Sequence, residues 1–328
     1  MRTRFTLAVG VEQPVVLGGM GTGTSPELVA AVSNAGGLGV QGCAGRSPDG
    51  IARVAEAIRR LTGRPFGLNL LLFQANEQAL DAVLAARPAV VSTAWAWPDQ
   101  PLGPIFDRVH DAGGRSMHMV ATIADAERAA DAGADVVVAQ GTEGGGHVGL
   151  MSTLVLVPQV VRAVAPIPVL AAGGVATGAG LAAALMLGAE GVLLGTRFLA
   201  TPESPLPDGY KDAICRADGH DTVLTELPDV IAGQVWPGAF ARVLRTSFIQ
   251  EWSGRGGEVR LHRAELRERL ARARESGDVA NGALLIGQDA GLIDRIEPAG
   301  DLVRRLVEEA QETLSRRTTE LLSGPAGP

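Results

Sequence analysis

Residues 1–202 predict an α/β fold: a (β/α)8 TIM barrel, with a mostly helical C-terminal extension over 203–328 capping the barrel mouth. Three observations carry this. Short apolar or β-branched runs alternate with longer Ala-rich segments of helical period, which implies βα units on a parallel sheet. Several helical segments end alike, in NAGG, DAGG, DAGAD and MLGAE, with Gly just past the last periodic residue, where a left-handed stop is expected. The seventh and eighth strands both run into glycine-rich loops, as phosphate-binding barrels do, which favours a closed barrel over a doubly wound open sheet.

In chain order the strands are PVVLGG (14–19), GLGVQG (37–42), FGLNLL (66–71), AVVST (89–93), RSMHMV (115–120), DVVVAQ (135–140), PVLAAG (168–173) and GVLLGT (191–196). Each is a strand-length apolar run. The helices between them are 26–35, 48–61, 76–86, 102–112, 124–132, 153–164 and 176–187. After Pro202 the βα repeat stops. The span 203–328 reads as a closing helix plus the cap, with charged helical stretches near 263–276 and 301–322 taken as solvated faces and SGPAGP as a loose tail.

Composition bounds the function. A formal net charge of −7 argues against a nucleic-acid footprint. No run approaches the ~20 apolar residues of a membrane helix. The opening MRTRFTLAVGVEQP is broken by Glu12 too early for a signal peptide, so a cytoplasmic protein is expected. Two distant cysteines, Cys43 and Cys215, make neither a disulfide framework nor a zinc site. Of 29 basic residues one, Lys211, is lysine, and it lies outside the barrel core; a G-x-x-x-x-G-K phosphate loop is absent and a Schiff base would have to use that residue.

In such a barrel the reactive groups stand at the C-terminal ends of the strands. The glycines Gly173, Gly174 and Gly195, with Thr196, let a ligand approach the backbone, and the helix opening near Thr177 points N–H groups toward it, an arrangement that suits a phosphate. The sixth strand runs into AQGTEGGGHVG. Gly144, Gly145 and Gly146 allow close approach of a flat ligand, and His147 is held over the mouth, where it would take a proton or stabilise an anion. A lone loop histidine is otherwise a hydrogen-bonded structural residue. Glu143 is placed to orient His147 or a loop N–H. His118, between Met117 and Met119, reads either as ligand-facing or as a satisfied core histidine. Cys43 reads as a buried small residue rather than a nucleophile. Trp95 and Trp97 are expected at the mouth, Trp236 in the cap; His110, His220 and His262 have no assigned role. No metal motif is present, so no metal site is expected.

The stretches PELVAAVSNAGGLG (26–39), FGLNL (66–70), ADVVVAQGTEGGGHVG (134–149), PVLAAGGVATGAGLAAALMLGAEGVLLGTRFLA (168–200) and WPGAFARVLR (236–245) resemble the nitronate monooxygenase family, formerly 2-nitropropane dioxygenases. The block from strand six to strand eight is shared with the flavin-dependent enoyl-ACP reductases. The resemblance implies a barrel holding non-covalent FMN. Gly19, Met20, Gly21, Asn69 and Gln140 would contact its isoalloxazine and ribityl parts. Gly145, Gly173, Gly174, Gly195 and Thr196 would lie along the ribityl chain and phosphate, and His147 matches the family's active-site histidine. Two positions depart from the family: Gly144 stands where Ala is usual, and the first strand ends Gly18-Gly19-Met20 rather than Ala-Pro-Met, closer to the reductases.

The expected activity is therefore FMN-dependent oxidation of alkyl nitronates or nitroalkanes by O2, with His147 as base or anion stabiliser. The alternatives are an NAD(P)H-dependent reductase of enoyl thioesters or quinones, and a flavin-binding scaffold without turnover. The expected partners are a small-molecule substrate and O2, with no nucleic acid and no membrane; a homodimer is compatible.

Overall fold

Eight parallel strands close into a barrel in the computed structural model of the chain, which describes residues 1–323. They are β1 (Val15–Leu17), β2 (Leu38–Gly42), β3 (Phe66–Leu71), β4 (Val90–Ala94), β5 (Arg115–Val120), β6 (Val136–Gln140) and, after a short strand β7 (Gly146–Val148) that leaves the barrel, β8 (Val169–Ala172) and β9 (Val192–Leu194). β9 closes on β1 in the register Val15↔Val192 to Leu17↔Leu194. A helix α1 (Arg4–Val9) precedes β1. The crossovers are α2 (Pro26–Asn34), α3 (Pro48–Leu61), α4 (Glu77–Ala85), α5 (Gly103–Asp111), α6 (Ile123–Asp131), α7 (Thr153–Ala163) and α8 (Gly178–Met186). All eight strands and seven helices stand where the sequence places them, to within a few residues at the ends.

Local chemistry explains that agreement. In α3, Ser47 caps Gly50 N–H, Pro48 occupies the first turn, Asp49 stands at the positive end and Arg59 and Arg60 at the negative end. Ile51, Val54, Ala55 and Ile58 then form one buried stripe. The glycines that end four of the helical segments, Gly36, Gly113, Gly133 and Gly188, take φ of 88°, 80°, 88° and 92°, a conformation only glycine adopts without steric cost.

Alternation along the strands divides the core in two. Val16, Leu38, Val40, Val90, Met117, Val136, Val138 and Leu170 fill the barrel interior with Phe5 and Val9 of α1. Val15, Leu17, Leu68, Val91, Val137, Ala171 and Val192 point outward against the helices. α1 is absent from the sequence-based reading. A reciprocal cap between Thr3 and Thr6 starts it, and Gly10 at φ 78° stops it. It seats Phe5 in the N-terminal end of the barrel, and Arg4 pairs with Glu190 at 2.7 Å.

After β9 come α9 (Thr196–Leu199), α10 (Asp208–Arg216), strand β10 (Thr222–Thr225), α11 (Leu227–Ala232), strand β11 (Phe240–Leu244), α12 (Ser247–Trp252), α13 (Gly256–Leu261), α14 (Arg263–Ser276) and α15 (Ala299–Ser323). The cap is mostly helical, but the part nearest the barrel mouth is an antiparallel sheet of order β10–β11–β7. The helix that completes the barrel is the last one: α15 packs on α8 and α2. Its run 301–322 is therefore not simply a solvated face. Leu302, Val303, Leu306, Val307 and Ala310 are buried as one stripe inside the charged sequence. Arg197 of α9, almost wholly buried, pairs with Glu297, which also binds Arg305, so the cap's return to the barrel is tied ionically. Of SGPAGP, all but Ser323 lies outside the described residues. Among the described residues no helix is long and apolar enough to cross a membrane.

Candidate active site

The C-terminal ends of the strands and the cap enclose one cavity of about 370 Å³, within the size range of cofactor and substrate sites. Gly19, Met20 and Gly21 reach it from the end of β1, Asn69 from β3, Gln140 from β6, Gly145, Gly146 and His147 from the loop beyond β6, Gly173 from the end of β8, and Gly195 and Thr196 from the end of β9. Thus nine of the ten positions expected to touch cofactor share one wall with His147. The tenth, Gly174, is turned away: a Cβ there would meet Glu143 Cβ at 3.2 Å.

The wall is built by close packing. Gly19 lies against Asn69, where a Cβ would come within 2.5 Å of the Asn69 side chain. Asn69 in turn donates to Ser92 Oγ at 3.2 Å. Gly173, at φ 89°, lies on the carbonyl of Gly141. Gln140 Oε1 is buried at the cavity with no hydrogen-bond partner among the described residues, a state that costs free energy unless a ligand donor completes it. An orphaned amide oxygen beside a glycine-lined wall fits a flavin ring, whose edge carries an N–H.

One expected phosphate element is not available. The first N–H of α8, from Gly178, donates to Glu309 Oε2 of α15 at 3.0 Å, and Thr177 caps Gly180. The helix N-terminus is already occupied by a carboxylate, so the loop backbone at Gly173 and Gly195 and the Thr196 hydroxyl remain as the cavity-lining groups at that end.

His147 is fixed from three sides. β7 pairs with β11 in the register Ala241↔His147. Its Nε2 is 2.8 Å from Asp229 Oδ1 of α11, with the two side chains 12% and 11% exposed. Trp236 stacks on the ring at 3.3 Å between centroids and 8° between planes. An ionised carboxylate only accepts, so Nε2 carries the proton and Nδ1 is left as the acceptor. Nδ1 has no partner among the described residues. Sequence reasoning missed Asp229, which stands 82 residues away in the least patterned part of the chain. The phrase LPDV by itself carries no catalytic signal.

Glu143 does not reach His147. Its carboxylate accepts from Thr153 N–H at 2.9 Å and from Thr153 Oγ1 at 2.9 Å, and so caps α7 from across the loop. The buried Arg242 of β11 donates to Thr142 O at 2.8 Å and holds the same loop to the cap. Trp95 lines the cavity with φ 57°, a strained setting for a bulky residue. Trp97 stands outside it, edge-on to Phe73. Trp236 is in the cap as expected, but it also forms the roof over His147.

His118 takes the core reading. It is 2% exposed, its Nδ1 shares a 2.7 Å hydrogen bond with Thr93 Oγ1, and Phe106 packs on it. Burial, with a smaller contribution from Arg128, lowers its pKa to about 3. Cys43 is likewise buried, and burial pushes its thiol to about 11, which removes the thiolate needed of a nucleophile. Lys211 is buried with its Nζ on Pro202 O and does not line the cavity. Among the described residues no group of three or more His, Cys, Asp and Glu side chains is placed to hold a metal ion.

Comparison with known proteins relates the whole chain to one family and its fold. A family model described as nitronate monooxygenase matches residues 2–80 and 74–309. A Mycobacterium tuberculosis protein named (3aS,4S,5R,7aS)-5-hydroxy-7a-methyl-1-oxo-octahydro-1H-indene-4-carboxyl-CoA dehydrogenase is 37% identical over 270 residues, 81% of this chain and 72% of that one. The solved structure of FabK from Thermotoga maritima matches with a TM-score of 0.87 at 36% identity, over 97% of this chain and 99% of that chain. Nitroalkane oxidase from Streptomyces ansochromogenes matches with a TM-score of 0.82 at 31% identity, over 96% of this chain and 100% of that chain.

Proposed function

Since the chain belongs to the nitronate monooxygenase family, a family of flavin-dependent oxidoreductases, we propose that it uses FMN to oxidise alkyl nitronates and nitroalkanes, with O2 as final electron acceptor. The observation that carries this reading is the Asp229–His147 pair, held at the roof of a glycine-walled cavity with Nδ1 unpartnered. Bound FMN would supply the acceptor for the substrate's electron pair and return it to oxygen.

The chain's own residues do the rest. His147 Nδ1 takes the proton from the carbon beside the nitro group of a neutral nitroalkane. The imidazolium so formed is stabilised by Asp229 at 2.8 Å. When the substrate arrives already as the nitronate, no proton needs to be removed, and a protonated His147 instead binds the anionic nitro oxygens. Gln140 Oε1 and Asn69 would hold the ring edge, and Gly145, Gly173, Gly195 and Thr196 the ribityl and phosphate end. Trp236, with Trp95 and Phe73 nearby, covers the mouth and limits the entry of water.

A second reading, an NAD(P)H-dependent reductase of an enoyl thioester, is favoured by two observations. The first strand ends Gly18-Gly19-Met20, and the Mycobacterium relative is named for a carboxyl-CoA compound. There the protonated His147 would stabilise a developing enolate. Anaerobic mixing separates the two. Flavin bleaching by excess NADPH or NADH would support the reductase. Bleaching by an alkyl nitronate alone, followed by recovery on admitting O2, would support the oxidase. A colourless protein that takes up no added FMN would overturn both.

A further inference from the structure

Asp289 is a buried acid that the chemistry above does not use. It sits in a single 3-10 turn, Gln288–Leu292, where the chain returns from the cap. It is 6% exposed, lines the cavity beside Gly195 and Thr196, and its Oδ1 has no hydrogen-bond partner among the described residues. Its position is fixed by its neighbours. Gly287 N–H donates to Thr196 Oγ1 at 2.9 Å, and Gln288 N–H donates to Glu143 O at 2.8 Å. Gly145 packs so closely that a Cβ there would lie 2.5 Å from Gly287 N. The carboxyl is therefore held at the Gly145, Gly195 and Thr196 end of the cavity, the end that takes the phosphate in the FMN reading. A carboxylate there would repel a phosphate dianion, whereas a carboxylic acid would donate a hydrogen bond to it.

We propose that Asp289 binds the flavin phosphate as a neutral acid, its O–H donating to a phosphate oxygen, so that pH controls how tightly the flavin is held. The inference rests on the FMN reading above. The surroundings agree with it. Burial pushes the Asp289 carboxyl up to about 7, against smaller opposing effects of its own backbone N–H, the Thr196 hydroxyl and Arg197. The elements packed against the turn carry Arg197 on α9, Asp208, Tyr210, Lys211, Asp212, Cys215 and Arg216 on α10, and Asp218, His220 and Asp221 in the turn before β10. Glu143 lies across from it with its carboxylate committed to Thr153. Of these surroundings Arg197 is the one whose charge bears on Asp289, and it is already paired with Glu297.

The sign follows from linkage. A group protonated in the complex and ionised in the free protein makes binding weaken as pH rises through its free-state pKa, by about tenfold per pH unit for one proton. The phosphate's own second ionisation, near pH 6, is complete before this window opens. The test is the affinity of the flavin-stripped full chain for FMN and for riboflavin, followed by flavin fluorescence from pH 7 to 9. FMN affinity should fall about fiftyfold from pH 7 to 9, steepening toward tenfold per unit above pH 8, while riboflavin, which lacks the phosphate, should show no such slope. Asp289→Asn, a permanent neutral donor, should bind FMN with a flat profile and more tightly than the parent at pH 9. Asp289→Ser, smaller and also neutral, should share the flat profile. A flat FMN profile in the parent, or a riboflavin slope equal to that of FMN, would overturn the inference and leave FMN binding intact. Failure to take up any flavin at any pH would overturn the FMN reading and this inference with it.

Discussion

Replacing Asp229 by Asn removes one charge from the site and little else. The side chain keeps its size, and its carbonyl can still accept from His147 Nε2. What is lost is the stabilisation of the imidazolium that forms when Nδ1 takes a proton. The pair is 2.8 Å long and both side chains are about nine-tenths buried, so solvent screens it weakly. A hydrogen bond to a charged group contributes about 1.5–3 kcal/mol. At 1.36 kcal/mol per decade this is roughly a ten- to hundred-and-fifty-fold loss of rate. The loss should be largest with a neutral nitroalkane, which needs the proton removed, and smaller with the preformed nitronate, which does not. The assay is the anaerobic rate of flavin reduction by each substrate form, on protein matched for flavin content. Equal rates for the variant and the parent on the neutral nitroalkane would refute the argument, because the carboxylate would then contribute nothing to the base.

Two further outcomes follow from the packing. His118 is neutral in the folded chain down to about pH 3, but unfolded it takes a proton near 6.5. Its folded pKa is the lower one, so stability is retained above 6.5 and lost as pH falls from there toward 3. By pH 5 the loss is about 2 kcal/mol. Urea unfolding at pH 7 and pH 5 should show His118→Gln losing less stability over that interval by about this amount, and identical losses would mean that His118 is charged in the fold. Phe5→Ala should destabilise the chain by about 3–5 kcal/mol, since a fully buried ring would leave a hole at the foot of the barrel. A change under about 1 kcal/mol in the urea midpoint analysis would show that α1 does not seal that end.

The barrel was legible because its signals are local. The cap at Ser47, the stripe Ile51, Val54, Ala55 and Ile58, and the stop glycines Gly36, Gly113, Gly133 and Gly188 all act within a turn or two of themselves. The wall of the site was legible for the same reason: strand ends in a barrel must converge, so Asn69, Gln140, Gly173 and Thr196 could be placed together before any contact was known. α1 escaped notice because six residues give too short a period, although its cap at Thr3 and stop at Gly10 were visible signals.

What the tertiary structure decided depends on pairs far apart in the chain. β7 is three residues long and is a strand only because β11 lies beside it. α15 completes the barrel about a hundred residues after the strand it follows, because α8 and α2 leave a groove that its buried stripe fills. Glu309 removed the α8 N-terminus from the phosphate end, Asp229 fixed the ring of His147, and Asp289 arrived beside Thr196 from the far side of the cap. Local propensity is set by near neighbours and can be read from them. A hydrogen bond or a charge contact between groups 82 or 131 residues apart leaves no periodic trace, and only the folded packing brings its two ends together.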